Sequence, residues 1–508
     1  MLFCYCGCPE FIVALLIKLF QRLNMLNMSD RQVVSELYEV RENENMYPEK
    51  AVLSNYLFLA EVDIPDNTYH HLIYSPLSGT LDFLDDDTAS YIKRLIKEGR
   101  VLNMDSQLGK QLWDRGYLFE DYDAEQRQSE MLYHELLKFN RDIQRHQLSI
   151  IPTYTCNLDC VYCWQDRRKL PGIIMDAGTV GKTFEAIDQL VSGIDPENVD
   201  ICLFGGEPLQ ADDNVINAVK HIVEQSRSRG FRLKAISNGV NLREYIPLFG
   251  GCLDVVQVTL DGTEEIHESR RRGNLGDFWK IIQSIDHALE SGISVNIRVN
   301  VEPENIQSIS DLAMFVSNRW GTNAPNLYLS PVKGGDIEHQ YNGLETVKQI
   351  LQMLASNEMP KNVDLSGYRP IRDVEYIIRH DKAPLQRFFN CEAQLNFWAL
   401  DPVGDIYACY DACGNPGMAV GRFLPALDLD ETKLGKWRSH SSLNKEKCRS
   451  CAAAPLCSGG CVYVEASHEK HSCDMLMDYY PVVLSYYSRK IYDIAAGGKS
   501  RTIGFICS

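Results

Sequence analysis

The sequence predicts an α/β fold: a partial, TIM-like (β/α)6 barrel between a small α+β N-terminal domain and a cysteine-rich C-terminal domain. Three observations predict it. Between residues 143 and 335, six strand-like runs alternate with helical segments, the pattern of a parallel sheet wrapped by helices. An eight-fold barrel takes about 250 residues; this stretch, at roughly thirty residues per unit, holds about six. Three cysteines, Cys156, Cys160 and Cys163, follow the first run at once. A second cysteine group runs from Cys391 to Cys473.

The totals bound the function. A chain of 508 residues exceeds one compact core, so two to four domains are expected. The net charge is −18 with no long basic run, a poor match for a phosphate backbone, so nucleic acid is not an expected partner. Arg270-Arg271-Arg272 reads as a solvated turn or a small anion site. Seventeen cysteines in a chain of this size suggest metal ligation rather than disulfide staples, hence a reducing, cytoplasmic compartment.

Residues 1–45 read as an N-terminal extension. Cys4, Cys6 and Cys8 precede the apolar run Phe11–Ile17. That run is far shorter than the roughly 20 residues of a membrane span and lacks the marks of a signal peptide, so a membrane is not an expected partner. Met25 and Met28 suggest an over-extended start, with an amphipathic anchor as the alternative. Residues 46–142 read as the small α+β domain. Tyr56–Val62 and His71–Tyr74 are strands, and Pro76–Thr80 is a turn. Asp85-Asp86-Asp87-Thr88 opens a helix that ends near Gly99, and Gln107–Arg115 is a second, stopped by Gly116. Such a module binds a peptide along a strand edge or simply covers the barrel. Glu125–Asp142 is a polar helical linker.

The core strands are Leu148–Pro152, Val199–Phe204, Leu233–Ser237, Val255–Leu260, Val295–Asn300 and Leu327–Ser330. Barrel active sites lie at the C-terminal ends of strands, where the cysteine loop falls. Three thiolates can hold three irons of a 4Fe–4S cluster and leave the fourth for another ligand, whereas electron-transfer clusters mostly use four cysteines. A structural zinc site wants four ligands, and no fourth Cys or His is near in sequence. Gly205-Gly206-Glu207-Pro208 follows the second strand, and Ser237-Asn238-Gly239 ends the third. Thr259-Leu260-Asp261-Gly262 ends the fourth, with His267, Glu268 and Arg271 beyond. Cys202 and Cys252 read as ordinary thiols. Residues 336–390 form a helical bridge, with helices at Thr346–Ala355 and Ile371–Arg379.

The C-x3-C-x2-C loop, Gly-Gly-Glu-Pro and Thr-Leu-Asp-Gly…Arg together resemble the radical S-adenosylmethionine (SAM) superfamily. The resemblance implies an open three-quarter barrel and a cluster whose open iron chelates the amine and carboxylate of SAM. An electron from the reduced cluster then breaks a carbon–sulfur bond, and a 5′-deoxyadenosyl radical takes hydrogen from substrate; the cofactors carry that chemistry. It implies SAM contacts from the backbone of Gly206 with Glu207 in support, from Ser237 on the ribose side, and from Thr259 and Arg271 at the ribose and carboxylate. Tyr162 is implied near the adenine. Glu268 stands where the family has Asp and receives no role.

Cys391-x12-Gly404-x4-Cys409 and Cys448-x2-Cys451-x5-Cys457-x3-Cys461-x11-Cys473 resemble the SPASM domain, placed here at 391–480. Such domains are held by their metals. The resemblance implies two auxiliary 4Fe–4S clusters, one on Cys391, Cys409 and Cys461, the other on Cys448, Cys451, Cys457 and Cys473. Some members carry a further cysteine where Phe397 stands. Either Cys413 serves instead, or one iron is open to a substrate thiolate. Residues 481–508 are expected as a tail.

The implied function is maturation of a peptide or protein, most closely a ribosomally made peptide that gains a cross-link or an oxidised residue. The N-terminal domain would recognise a leader peptide, and a flavodoxin- or ferredoxin-type protein would donate electrons. A sulfatase-type (formylglycine) maturase, or an amine-dehydrogenase cofactor maturase, is the alternative. Sulfatase maturases carry an acid directly after the cysteine equivalent to Cys409, where this chain has Tyr410. A non-catalytic iron–sulfur electron carrier or binding protein is the alternative from another class, and it would have no use for a SAM pocket.

Overall fold

The computed structural model describes residues 47–508 except 66–67, 144, 164, 166–171, 275, 333–342, 356–359, 361, 383, 385–390, 469–475, 499, 501 and 508. The expected extension at 1–45, with Cys4, Cys6 and Cys8, and the expected ligand Cys473 lie outside the described residues.

The chain opens with β1 (Lys50–Leu53), β2 (Phe58–Glu61), β3 (His71–Tyr74) and β4 (Leu81–Leu84). Then come α1 (Asp86–Lys97), β5 (Val101–Asn103), α2 (Gln107–Asp114), β6 (Leu118–Phe119) and α3 (Tyr122–Ile143). β1 pairs with β5 and β6, while β2, β3 and β4 form an antiparallel meander. Local chemistry sets the helix starts: Asp85 accepts from the Thr88 N–H at 2.7 Å and Ser106 from that of Gly109 at 3.0 Å. Buried Glu125 near the start of α3 accepts from Ser54 Oγ, Asn55 N and Asn55 Nδ2, pinning α3 to the loop before β2.

The core follows as β7 (His146–Ile150), α4 (Ala177–Leu190), β8 (Val199–Leu203), α5 (Asp213–Arg229), β9 (Arg232–Ser237) and α6 (Leu242–Phe249). β10 (Leu253–Thr259), α7 (Glu264–Arg271), α8 (Asp277–Glu290), β11 (Ser294–Val301), α9 (Ile309–Trp320) and β12 (Asn326–Pro331) complete it. The six expected strands lie side by side in chain order, each parallel to the next. This is an α/β core of the barrel type, with helices between successive strands. Period-two alternation divides its faces. Val295, Ile297 and Val299 of β11 join the apolar core with Ile281, Ile285 and Leu312 of α8 and α9. Asn296, Arg298 and Asn300 point to the opposite face, in register with polar Thr259 and Ser330 on neighbouring strands.

The remaining chain gives α10 (Gly343–Ala355), β13 (Val363–Asp364), α11 (Arg369–His380), β14 (Phe397–Leu400) and β15 (Asp405–Tyr407). It ends with β16 (Gly421–Arg422), β17 (Asp428–Leu429), α12 (Glu431–Arg438), α13 (Ala454–Cys457), α14 (Val462–His468), α15 (Leu476–Ala496) and β18 (Ile503–Ile506). Three features depart from expectation. The bridge supplies a strand, β13, that extends the sheet beyond β12. The cysteine-rich region does not stand apart: β14 pairs in parallel with β7, and β15 to β17 carry the sheet on to eleven strands. An uncovered β7 edge would leave backbone groups unpaired, and the buried run Phe397–Leu400 covers it.

Residues 481–508 are no tail. α15 packs on β2 and α11, with Tyr480 Oη donating to Asp373 at 2.5 Å. β18 pairs in parallel with β4, and the Thr502 carbonyl accepts from Leu81 N at 3.0 Å and Arg115 Nη2 at 2.8 Å. The short run Ile-Gly-Phe-Ile carries the signal of a strand, but nothing local names a partner so distant in sequence. Among the described residues no helix is long and apolar enough to cross a membrane.

Candidate active site

The cysteine loop leaves β7 and is held at the ends of three neighbouring strands. After β8, Gly206 N donates to Thr153 O at 3.1 Å and Glu207 N to Thr155 O at 2.9 Å. Gln210 Nε2 adds 2.8 Å bonds to the carbonyl and hydroxyl oxygens of Thr155. After β9, Asn238 Nδ2 donates to Asn157 Oδ1 at 2.7 Å. After β10, the last carbonyls of α7 accept from the loop: Arg271 O from Asp159 N at 3.3 Å, and Arg270 O from Val161 N at 2.9 Å. The two glycines make this possible. A Cβ on Gly206 would stand 2.7 Å from the Thr155 carbonyl carbon and nearer still to its oxygen; on Gly205, at φ 146°, it would stand 2.5 Å from Thr153 O. The close approach that the two glycines allow is made by the chain's own loop, through Thr153, Tyr154 and Thr155.

Glu207 is 1 % exposed and accepts from Leu209 N at 2.8 Å, Ser237 Oγ at 2.8 Å and Asn238 N at 2.5 Å. Burial raises its pKa, and these three donors oppose the rise. The Ser237 hydroxyl also accepts from Gly239 N at 2.9 Å. Glu207 and Ser237 therefore join the turns after β8 and β9 and act as positioning groups. Thr259 is buried at the end of β10, paired with Arg298 of β11.

Tyr162 lies in a buried polar knot. Its hydroxyl donates to Asp261 and accepts from Arg271 Nη1 at 2.8 Å and Asn300 Nδ2 at 3.1 Å. Burial holds its pKa well above the phenol range, with Arg271 opposing and Asp261 adding. The Arg270 guanidinium lies 5.2 Å over its ring and pairs with Glu302. Asp261 Oδ1 also accepts from Asn300 N at 3.0 Å. His267 accepts from Asp261 N, and burial lowers its pKa to about 4, so it stays neutral at pH 7. Burial works against the Arg271 charge, but Tyr162, Cys160 and Asp261 more than offset it. Its Nε is buried without a hydrogen-bond partner.

Burial pushes the Cys156 thiol up to about 12, with Glu207 adding to the rise, and the Cys160 thiol up to about 11 against the pull of Arg271. Cys156 keeps an exposed face although the surrounding loops crowd it; Cys160 and Cys163 are half-buried. Three thiols with a cation beside them form a donor set that fits an anionic iron–sulfur cluster. Loading it releases protons, so affinity rises with pH. Among the described residues no three His, Cys, Asp or Glu side chains converge tightly enough for a single metal ion. A cluster spreads its ligands more widely than one ion does.

In the second cysteine region Cys391 begins a turn at Glu392–Gln394. Cys409 and Cys413 flank the turn Tyr410–Ala412, with Cys413 Sγ donating to Cys409 O at 3.3 Å. Cys391, Cys409, Cys413, Cys457 and Cys461 are buried. Cys448 and Cys451 are half-buried and pack with Val52, Tyr56 and Phe119 of the N-terminal domain. Tyr154, just before the first loop, donates to buried Asp401 at 3.1 Å and so ties the two cysteine regions together.

Sequence reasoning gave no role to Asn157, Asn238, Asp261, Asn300, Gln210 or Tyr154, which hold the loop. Asp261 and Asn238 sat inside motifs already singled out; Asn300 closes the fifth strand, and its position at a strand end was the available signal.

Residues 150–316 match the family model described as Radical SAM superfamily. Over 326 residues the chain is 23% identical to mycofactocin maturase MftC of Mycolicibacterium smegmatis (strain ATCC 700084 / mc(2)155), covering 61% of this chain and 76% of that protein. Over 188 residues it is 28% identical to Fe-coproporphyrin III synthase of Methanosarcina barkeri (strain Fusaro / DSM 804), covering 36% and 43%. The fold resembles the solved structure "Native anSMEcpe with bound AdoMet", with a TM-score of 0.51 and 17% identity over 70% of this chain and 100% of that one. With a three-thiol loop fastened to three strand ends beside a buried arginine, and with the family match spanning that loop, residues 150–316 form a radical SAM catalytic domain, the domain of an iron–sulfur enzyme.

Proposed function

We propose that this enzyme modifies a peptide or protein, as a maturase that introduces a cross-link or an oxidised residue into a ribosomally made peptide. The observation that carries the reading is the loop Thr155–Cys163, fixed at the ends of β8, β9 and β10 next to Arg271. When bound, SAM and the cluster supply the one-electron chemistry that takes hydrogen from the substrate. The chain's own residues orient it. Cys156, Cys160 and Cys163 hold the cluster, Arg271 offers a buried cation to a carboxylate, and Glu207 with Ser237 fix the turns around SAM. Gly206, Thr259 and Tyr162 complete the SAM pocket. The six core units form an open three-quarter barrel whose polar inner face receives the peptide.

Similarity to a protein named as a mycofactocin maturase supports the maturase reading. Tyr410 weighs against the sulfatase branch. Its ring packs on Phe204 and Phe397, and its hydroxyl accepts from Ser149 at 2.7 Å and Gln147 at 3.0 Å, so the position is occupied by a half-buried anchor rather than an acid. The domain at 46–142 recognises a leader peptide, a flavodoxin- or ferredoxin-type protein donates electrons, and the enzyme works in the cytoplasm. Auxiliary clusters sit on Cys391, Cys409 and Cys461, with Cys413 as fourth ligand, and on Cys448, Cys451, Cys457 and Cys473.

Two measurements test this. An anaerobic reaction with SAM, reductant and the short peptide encoded beside the gene should yield 5′-deoxyadenosine and a peptide lighter by two hydrogens in the mass spectrum. Deoxyadenosine with an unchanged peptide would reject that substrate; neither product, with clusters present, would favour the non-catalytic alternative. Cys413→Ala should lower the iron content, and unchanged iron and spectra would remove it from the ligand set.

A further inference from the structure

Arg298 is a charged residue in the core that no part of the proposed cofactor chemistry uses. It lies on β11, on the polar face opposite the helices, in register with Thr259 of β10 and Tyr328 of β12. It is half-buried, and its guanidinium is held at two points: Nε donates to Asn300 Oδ1 at 2.8 Å and Nη2 to Ser330 Oγ at 2.9 Å. Both acceptors are neutral. Among the described residues no carboxylate lies within ion-pair distance of it. Other cations nearby have carboxylate partners: Arg145, Arg232 and Lys234 gather on Asp200, and Arg270 pairs with Glu302.

A half-buried cation without a counter-charge is costly to keep, and here the fold fixes it rather than letting it reach solvent. The place is informative as well. Arg298 stands two residues before Asn300, about 6.6 Å along the strand. Asn300 donates to Tyr162, the neighbour of Cys163. The free N–H groups of a planar guanidinium suit a carboxylate, which they can grip bidentately.

We propose that Arg298 anchors a carboxylate of the substrate peptide, an Asp or Glu side chain or a C-terminal group, on the inner face beneath the cysteine loop. This rests on the peptide-modifying reading and adds to it an acidic residue in the substrate. SAM also carries a carboxylate; Arg271 is the cation proposed for that one, and the test separates the two sources.

Acetyl-Gly-Glu-Gly-amide and its Gln counterpart are titrated calorimetrically into the reconstituted, SAM-bound enzyme. SAM affinity is measured separately by equilibrium dialysis. The Glu peptide should bind about tenfold or more tightly than the Gln peptide. Arg298→Gln should bring the two to parity, Arg298→Lys should keep a partial preference, and SAM affinity should stay within about twofold of wild type for both. Equal binding of the two peptides to wild type, or binding of neither, would overturn the proposal. So would a tenfold loss of SAM affinity in Arg298→Gln, which would assign the residue to SAM. A clear Glu preference with no peptide ever modified would leave Arg298 as assigned and reject the maturase reading instead.

Discussion

Cys163→Ala is expected to abolish SAM cleavage, with 5′-deoxyadenosine falling to the level of a reaction without enzyme. Loss of groups that merely support metal ligands typically costs about 10–100-fold, so loss of one of three ligands should exceed that range. The backbone has little reason to change. Cys163 N donates to Cys160 O at 3.0 Å, and the loop's anchors are main-chain bonds from Asp159 and Val161 and contacts through Thr155 and Asn157, none of which involve the Cys163 side chain. Circular dichroism should therefore match wild type while iron content and the SAM-induced change in the cluster's EPR signal fall. Cleavage that survived the substitution would show that the triplet does not hold the reactive cluster.

Gly206→Val should be nearly as damaging for a different reason. Its Cβ would press on the backbone of Tyr154 and Thr155, not on the tip of a flexible side chain, so no rotamer change relieves it. The loop would have to move, and misplacement by about 1 Å can cost about 10²-fold in rate. Overpacking of this kind also typically costs about 1–3 kcal/mol of stability. Gly181→Ala is the control: it lies in α4, and a Cβ there meets nothing within 4 Å. That change should leave deoxyadenosine formation alone and raise stability slightly, since alanine loses less backbone entropy than glycine in a helix. Wild-type cleavage by Gly206→Val would mean that the close approach of the two loops does not fix the site.

The parallel core was legible because each strand announces itself locally. Alternating runs such as Val-Asn-Ile-Arg-Val-Asn give period two, and the cysteine and glycine motifs fall directly after them. The role of Gly-Gly-Glu-Pro was legible only in part. The sequence shows that backbone must come close, but not whether a ligand or another loop does so. Glu207 shows the same limit, since its carboxylate serves three donors from two turns. The attachment of β14 to β7, and of β18 to β4, was not legible. Strand pairing between distant segments depends on which edges remain uncovered after the rest has folded, and no local period records that. The contact of Cys448 and Cys451 with Tyr56 is hidden for the same reason.

The parallel pairing of β18 with β4 has a consequence for how the protein is made. The meander begun by β2, β3 and β4 is completed by a strand that leaves the ribosome only after the entire core. Domains generally fold as they emerge, the earliest first, yet here the earliest sheet keeps an open edge throughout synthesis of everything between Leu84 and Ile503. Contacts between segments so far apart form slowly. Until they form, Leu81–Leu84 is an exposed apolar edge of the kind that recruits other chains. That early edge is thus open to aggregation until a segment far along the chain reaches it, and closing the sheet depends on the core between the two strands having been made.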